Sequence, residues 1–449
     1  MSGNTHQSIQ QSAQQSAQQL ASAREKVTLL RDDVSAWNRW RSRSVQLLPS
    51  LNNGEFDHAE LSQVNLSLAQ LKLASFVDAQ LTGADFSEAV LYTANLSGAE
   101  LESASFNLAD LREANFSLAN LNFANLRQAD LRIADFYTAR LKEAILRDAN
   151  LAHADLEEVD LSLADLSNCN LMGALLRQAI LYTANLTRAN LQRAEMWQAD
   201  LREAILNDAN LQHANLSEAD LRQAEICRSN LSFVRLVKAH LEDALLRESN
   251  LYQANLSQAN LHRADLSQAR LQEADLTCAN LQSAMLHEAN LSRARLIGVN
   301  LSDARLYCSQ LNEADLYQAI GHRANFVRAD LSHARLSRTQ FQGANFYRAN
   351  LSGADLYGAE LQGSICYAAD LTGADLRGAS FQDANLRGTN LQGADLRGAN
   401  LRGADLGYTK LEGADLRQVD LRETDLREAQ MDGAIRGDGG LPVSSSVSS

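Results

Sequence analysis

The side chains best suited to hold a metal ion are His240 and His262, with Glu242 and Asp243 beside them. Imidazole and carboxylate groups are common zinc ligands. If the chain returned to the same side every 20 residues or so, roughly as solenoids do, the two imidazoles would lie on neighbouring coils. Nine His residues spread over 449 positions produce such neighbours by chance, however, and we predict no metal site.

Catalytic groups form no recognisable constellation. The 55 Asp and Glu residues recur at outward positions of a repeat, which is typical of a solvated surface. The sequence has neither a Gly-rich phosphate loop between strand and helix nor a nucleophile motif. Its five Cys residues show no paired spacing, which indicates reduced thiols rather than a disulfide framework. We therefore expect a protein without catalytic activity and without a cofactor.

Tyr and Arg residues on one predicted side give the strongest signal for recognition, because both types often anchor protein interfaces. The candidate partner-binding residues of this side are Tyr307, Arg328, Tyr347, Arg348, Tyr367 and Tyr408. Apolar residues just before the central Leu position share the side, namely Ile145, Ile205, Leu245, Met285 and Ile365. The alternative is that outward Tyr residues simply suit a β surface.

These residues must be positioned by a five-residue repeat. Leu or Phe recurs at every fifth position from Phe56 to Met431, in 76 consecutive units, and only Gly321 and Cys366 replace Leu, Phe, Met or Ile there. Two positions earlier, 61 of the 76 units carry Ala, and the other 15 carry small or slim residues. Both positions therefore point inward, and we expect Ala254→Leu to destabilise the protein more than a change at Gln253.

Neither regular element alone explains a period of five. On an α-helix five residues advance about 500°, so no apolar stripe forms. On a straight strand an odd spacing places successive Leu residues on opposite faces. A short extended segment followed by a corner in each unit remains, and such a chain coils on itself as a solenoid.

The repeat resembles that of the pentapeptide-repeat proteins, whose unit reads A-(D/N)-L-x-x. Matching segments include Ala84-Asp85-Phe86, Ala94-Asn95-Leu96, Ala394-Asp395-Leu396 and Ala404-Asp405-Leu406. The resemblance implies an all-β solenoid over residues 51–435, a right-handed quadrilateral β-helix with one unit per side. At 20 residues per coil it would have about 19 coils, and at about 4.8 Å per coil it would be about 90 Å long.

The sequence itself also favours 20 residues per coil. Gly321 empties a core position, and Phe341 would lie over it with a bulky ring. Asn side chains would stack into a hydrogen-bonding ladder at positions 150, 170, 190, 210, 230 and 250. Phe rings would stack in the pairs Phe56 with Phe76, Phe86 with Phe106, Phe116 with Phe136, and Phe326 with Phe346.

The two ends differ from the repeat. Residues 1–12 are Gln/Ser-rich and predicted to be disordered, while residues 13–50 show a heptad-like pattern that predicts an amphipathic helix ending before Pro49. Its Trp37 and Trp40 would either cap the first coil or bind a partner, and the segment Trp37 to Arg41 resembles a leader found in cyanobacterial family members. Residues 436–449 are predicted to form a flexible tail. The last coil would then expose a β edge, which favours an end-to-end homodimer.

The net charge of −14 argues against direct binding of nucleic acid or anionic membranes. No apolar run of about 20 residues could span a bilayer and no signal segment is recognisable, so we expect a cytoplasmic protein. The preferred function is a non-catalytic protein–protein interaction scaffold with a regulatory role.

The resemblance implies an alternative, a DNA-mimicking binder of a type II topoisomerase such as gyrase. An acidic rod has the right gross character for that function. Three features weaken it: the frame has no inserted loop, no C-terminal helix is available for dimerisation, and outward Arg residues dilute the acidic charge. Pairs that balance charge in the last coils are Asp375 with Arg377, Asp395 with Arg397, and Asp415 with Arg417.

Overall fold

A computed structural model describes residues 26–43 and 48–437, and two short helices open the described chain. Helix α1 covers 26–32, and helix α2 covers Val34–Arg43. The single helix predicted for 13–50 is thus interrupted at Asp33, whose carboxylate accepts a hydrogen bond from the Ala36 amide at 2.8 Å. An Asp in that position caps the start of a helix, because it satisfies an amide that has no partner within the helix. Residues 1–25, 44–47 and 438–449 lie outside the described residues; they include the predicted segment 1–12, part of the predicted helix 13–50 and most of the predicted tail 436–449.

From Ser50 to Ile435 the described chain repeats one five-residue conformation. The residue before each central Leu or Phe forms a single parallel β-bridge, and the two residues after it form a β-turn. In the unit of Phe86 the turn closes with a hydrogen bond of 3.0 Å from the Ala89 amide to the Phe86 carbonyl. Its third residue, Glu88, has φ of 57°, the left-handed conformation that the corner requires.

Each β-bridge joins residues 20 apart, which confirms the predicted 20-residue coil, with four units and hence four sides. The amide of Phe86 donates to the carbonyl of Ser105 at 2.7 Å, and the amide of Ser105 donates to the carbonyl of Ala84 at 2.8 Å. The amide of Glu88 donates to the carbonyl of Asn107, also at 2.8 Å. Neighbouring coils therefore satisfy most of the backbone polar groups that burial would otherwise penalise.

The preference for Asp or Asn before the central Leu has a local cause. In the Phe86 unit the amide of Ser87 finds no partner in the next coil, and the carboxylate of Asp85 accepts its hydrogen bond at 2.9 Å. Asn95 does the same for the amide of Ser97 at 3.1 Å. Such Asx turns satisfy the last free amide of the unit, and longer acidic side chains do not fit the geometry as readily.

The interior is filled by the central Leu or Phe and the preceding Ala of each unit, nearly all of which are buried. A Cβ atom added to Gly321 would lie 2.3 Å from Cε1 of Phe341, so the ring does occupy the space left by the glycine. All four predicted Phe pairs stack, with ring centroids 4.8–4.9 Å apart. Side chains one coil apart thus complement each other in volume, as close packing requires.

The chain divides into two compact units, Met1–Ile205 and Leu206–Ser449. The predicted Asn ladder is present within each. In the first, Nδ2 of Asn170 and Asn190 each donate to the Oδ1 one coil earlier at 3.0 Å. In the second, Asn230 and Asn250 make the same contact at 3.3 Å. All five Cys residues are free thiols, as predicted, and Cys169 and Cys366 are buried.

Candidate interaction surface

The β-turns hold the predicted Tyr and Arg residues in a row on one side of the second unit. We define the Tyr–Arg side as residues 305–308, 325–328, 345–348, 365–368, 385–388 and 405–408. The amide of Arg328 donates to the carbonyl of Tyr347 at 2.9 Å, and the amide of Arg348 donates to the carbonyl of Tyr367 at 3.1 Å. Because these backbone hydrogen bonds join consecutive coils, they hold the Tyr and Arg side chains at fixed positions along the side.

Aromatic and cationic groups contact each other along this side. The rings of Tyr347 and Tyr367 stack at 5.7 Å with an interplanar angle of 7°. The guanidinium of Arg348 lies over the Tyr347 ring, 5.2 Å from its centroid, and Nη1 of Arg328 donates to the Tyr307 hydroxyl at 3.5 Å. All five predicted residues from Tyr307 to Tyr367 are therefore brought together. These contacts order the side chains without neutralising the charges.

The sixth predicted residue, Tyr408, lies further along the same side. Its ring is covered by the guanidinium of Arg387, 4.6 Å from the centroid. Tyr307, Tyr367 and Tyr408 are 37%, 39% and 53% exposed. Their hydroxyl groups can therefore reach a partner.

Four guanidinium groups of the Tyr–Arg side form no ion pair within the described residues, namely those of Arg305, Arg328, Arg348 and Arg387. Two pairings recur among the Arg residues elsewhere. An Arg just after the central Leu binds an Asp two residues earlier, as Arg397 binds Asp395 at 2.6 Å. A corner Arg binds an acid one coil away, as Arg323 binds Asp303 at 2.8 Å.

The same rules explain why the four cations lack partners, and they show what the sequence interpretation missed. Residue 385 is Asn where Arg387 would need Asp, and the coils on either side of Arg328 place Cys308 and Arg348 at its corner. Arg305 and Arg387 were not among the predicted residues. For Arg387 the absence of an acid two or 20 residues away is a sequence signal that could have identified it. Arg305 follows Asp303 by two residues, and only the structure shows that this carboxylate is bound by Arg323 instead.

The opposite arrangement is found on another side of the same unit, which we name the Asp–Arg side and define as residues 375–378, 395–398 and 415–418. Arg377, Arg397 and Arg417 each bind the Asp two residues earlier at 2.6 Å. The guanidinium of Arg397 holds the pKa of Asp395 below its usual range, because its hydrogen bonds favour the ionised carboxylate. Charge is thus balanced within this side.

The weak metal candidate is occupied by protein contacts. Oε1 of Glu242 accepts a hydrogen bond from Nδ2 of Asn260 at 2.6 Å and lies 3.5 Å from Nδ1 of His240. Asp243 is bound by Arg263. Among the described residues no group of three or more His, Cys, Asp or Glu is arranged to hold a metal ion, and His262 belongs to no such group.

Trp37 lies against the first coil and is fully buried. Its Nε1 donates to the carbonyl of Asn65 at 2.7 Å, and the side chain of Asn38 accepts from the Asn65 amide at 2.8 Å. In later coils these backbone groups pair with the preceding coil, so α2 replaces the missing neighbour of the first one. Trp40 is half-buried, and its ring lies 5.0 Å from that of Trp37.

The described residues contain no helix that is long and apolar enough to cross a bilayer. A family model described as pentapeptide repeats matches residues 55–91, 94–132, 134–320 and 324–435. No curated protein matches the chain.

Several solved structures are similar. HetL, a pentapeptide repeat protein involved in heterocyst differentiation regulation from the cyanobacterium Nostoc sp. strain PCC 7120, is 33% identical; the alignment covers 50% of this chain and 91% of HetL, with a TM-score of 0.30. Rfr23 from the cyanobacterium Cyanothece 51142 is 40% identical over 21% of this chain and 63% of its own length, with a TM-score of 0.20. Full-length QnrB1, a plasmid-mediated fluoroquinolone resistance protein, is 18% identical over 44% of this chain and 86% of QnrB1, with a TM-score of 0.19.

Proposed function

The chain belongs to the pentapeptide-repeat family, and from that premise we propose that it is a non-catalytic, cytoplasmic scaffold for protein–protein interaction with a regulatory role. Proteins of this family are repeat proteins that fold as right-handed quadrilateral β-helices. At 20 residues per coil, the repeat from residue 51 to 435 would make about 19 coils. Stacked coils of this kind present regular arrays of side chains to a partner.

The observation that carries the proposal is the Tyr–Arg side. Most of its Tyr and Arg residues are exposed, with Tyr347 and Arg387 half-buried. Their side chains contact each other and stand on β-turns whose amides are bonded to the next coil. Because these side chains are already ordered, binding through them loses less conformational entropy than binding through mobile groups. Tyr and Arg are also the residue types that dominate binding energy at interfaces.

The N-terminal tryptophans have a structural role in this proposal. The burial of Trp37 and its hydrogen bond to Asn65 support a cap over the first coil. Because Trp37 is buried and Trp40 is only half-buried, Trp40 is the tryptophan that a partner could still contact.

An end-to-end homodimer through the last coil is the second part of the proposal. The core positions Leu421, Leu426 and Met431 are only half-buried, whereas the equivalent residues of earlier coils are buried. A second chain that pairs with this β edge would cover them. Light scattering over a wide concentration range tests the dimer. A monomeric mass at the highest concentration would contradict the proposed dimerisation.

Affinity capture from native cell extract, followed by mass spectrometry, tests the scaffold. The test variant is Tyr347→Ala/Tyr367→Ala, and the matched control is Tyr317→Ala/Tyr357→Ala, which changes the same repeat position on another side of the same unit. We expect at least one protein that the parent and the control retain and the test variant loses. If no protein depends on either Tyr pair, the proposed binding through this side is wrong.

The DNA-mimicking alternative rests on the net charge of −14. The balanced pairs of the Asp–Arg side and the unpaired cations of the Tyr–Arg side weigh against a continuous negative surface. The same capture distinguishes the two functions. Type II topoisomerase subunits retained equally by all three proteins would favour DNA mimicry, since that function depends on carboxylates rather than on the Tyr rings.

A further inference from the structure

We propose that the Tyr–Arg side binds an extended, carboxylate-rich segment of the partner protein. This inference rests on the proposed scaffold function and names the chemistry of its partner. It is carried by the four unpaired guanidinium groups, by their spacing along the coils, and by the orientation of the Tyr rings beside them.

The charge of the Tyr–Arg side is opposite to that of the whole chain. The protein carries a net charge of −14, yet Arg305, Arg328, Arg348 and Arg387 have no carboxylate partner among the described residues. Acids lie only towards the two ends of this side. Glu288, one coil before Arg305, accepts a hydrogen bond from Gln268 at 2.9 Å, and Asp405, one coil after Arg387, accepts one from the amide of Gly407 at 2.9 Å. An incoming carboxylate would therefore meet Arg305, Arg328 and Arg348, none of which forms an ion pair within the described residues, whereas Arg387 lies near Asp405 and Asp425.

Arg328 and Arg348 form the strongest part of the site. They occupy the same corner of consecutive coils, which places their Cα atoms roughly 4.8 Å apart, and neither has an acid one coil away. Like charges presented from neighbouring coils repel each other, and an anion between them lowers that repulsion. The guanidinium group binds a carboxylate through two parallel hydrogen bonds, so one Glu or Asp side chain can relieve the repulsion.

The length of the patch indicates an extended segment. From Arg305 to Arg387 the chain advances four coils, which corresponds to about 19 Å at roughly 4.8 Å per coil. A fully extended segment of about six residues spans that distance at roughly 3.3 Å per residue. Carboxylates on alternate residues of such a segment would all face the coils, because side chains of an extended chain alternate between its two faces.

The orientation of the Tyr rings favours a protein segment over single-stranded nucleic acid. A base stacks on an aromatic ring only if one face of the ring is open. The Tyr347 ring contacts the Tyr367 ring at 5.7 Å and the Arg348 guanidinium at 5.2 Å, so less of its surface is open to a base. The hydroxyl groups remain available, and they can donate charge-assisted hydrogen bonds to carboxylates.

The test measures binding of a fluorescein-labelled peptide of twelve alternating Glu and Thr residues to the full chain by fluorescence anisotropy at low salt. The comparison ligands are the peptide with Gln in place of Glu and a single-stranded DNA dodecamer. The test variant is Arg328→Gln/Arg348→Gln. The control is Arg377→Gln/Arg397→Gln, which removes the same charge from pairs that Asp375 and Asp395 already neutralise.

We expect the Glu peptide to bind the parent and the control alike, and to bind the test variant about tenfold more weakly, the loss expected for a charge-assisted contact. Equal weakening in both variants, equal binding of the Gln peptide, or no binding below about 1 mM overturns the inference. Tighter binding of the DNA dodecamer, lost in the test variant, overturns it in favour of nucleic acid. If the peptide fails but the extract capture still depends on Tyr347 and Tyr367, only this inference fails; if the capture also fails, the scaffold function fails with it.

Discussion

Phe341 fills the space of the side chain that Gly321 lacks. Cε1 of its ring lies 2.3 Å from the point where a Cβ atom added to residue 321 would be. We expect Gly321→Leu alone to destabilise the protein by about 1–3 kcal/mol, because the added side chain overpacks a full interior. Replacing both residues by Leu, the commonest residue at this position, should recover much of that loss. Chemical denaturation of the two single variants and the double variant measures the coupling, and additive effects would show that the two positions are not neighbours.

The second inward position should be as strict as the first. Ala254 is buried, and Gln253 just before it is exposed at a corner. We expect Ala254→Leu to lower the free energy of unfolding by about 1–3 kcal/mol, and the control Gln253→Leu to change it by no more than about 0.5 kcal/mol. Thermal melting of both variants tests this difference, and equal melting temperatures would contradict the inward assignment of Ala.

The hydrogen bond from Trp37 to Asn65 should protect the first coil. Trp37→Phe keeps an aromatic ring but removes the Nε1 donor, which leaves the Asn65 carbonyl without that partner. A hydrogen bond makes a net contribution of about 1 kcal/mol to stability. Without it, the amides of residues 61–67 should exchange with solvent about fivefold faster. Hydrogen exchange with mass spectrometry measures this. The control Trp197→Phe alters a more exposed ring and should leave that peptide unchanged.

The Asp–Arg side should stabilise the protein only while its carboxylates are ionised. Arg377 and Arg397 lower the pKa of Asp375 and Asp395 by hydrogen bonding to the carboxylates. Since the folded pKa lies below the unfolded value of about 3.9, the stabilisation is complete above that pH and is lost as the pH falls through the folded pKa. Arg377→Gln/Arg397→Gln should therefore melt below the parent at pH 6, and the difference should shrink as the pH falls below about 3.9.

A control separates pairing from net charge in that comparison. Arg328→Gln/Arg348→Gln removes the same charge from cations that have no carboxylate partner in the described chain. We expect its melting temperature at pH 6 to stay closer to that of the parent, with any change set by overall charge. If both double variants lose the same stability at pH 6, the effect comes from net charge and not from the pairs.

Most of the fold could be predicted because one residue type repeats at each inward position. The spacing of Leu at every fifth residue, with Ala two positions earlier, excluded a continuous helix and a straight strand. The pair Gly321 and Phe341 indicated a coil of 20 residues, which the β-bridges confirm. The break at Asp33 was missed, since a heptad pattern follows apolar residues and gives no weight to one capping carboxylate. Trp37 was identified from sequence, but its burial depends on the backbone of Asn65, which no spacing reveals.

The interaction surface was only partly predictable for a related reason. Tyr347 and Tyr367 could be aligned from their 20-residue spacing, and they do stack. Arg305 and Arg387 were overlooked because their significance lies in the partners that they lack. Whether a cation is neutralised depends on the residue one coil away as well as on the residue two positions earlier, and the first comparison becomes meaningful only once the register is known.

The bridging of residues 20 apart also constrains how such a gene can change in length. A duplicated stretch of DNA that encodes 20 residues inserts one complete coil. Every later residue then stays on the same side of the coil, and the rows of Tyr and Arg residues stay aligned. A stretch that encodes five residues preserves the inward frame but rotates all later residues by one side. Surface patterns such as the row from Tyr307 to Tyr408 would therefore survive a change in length only in steps of whole coils.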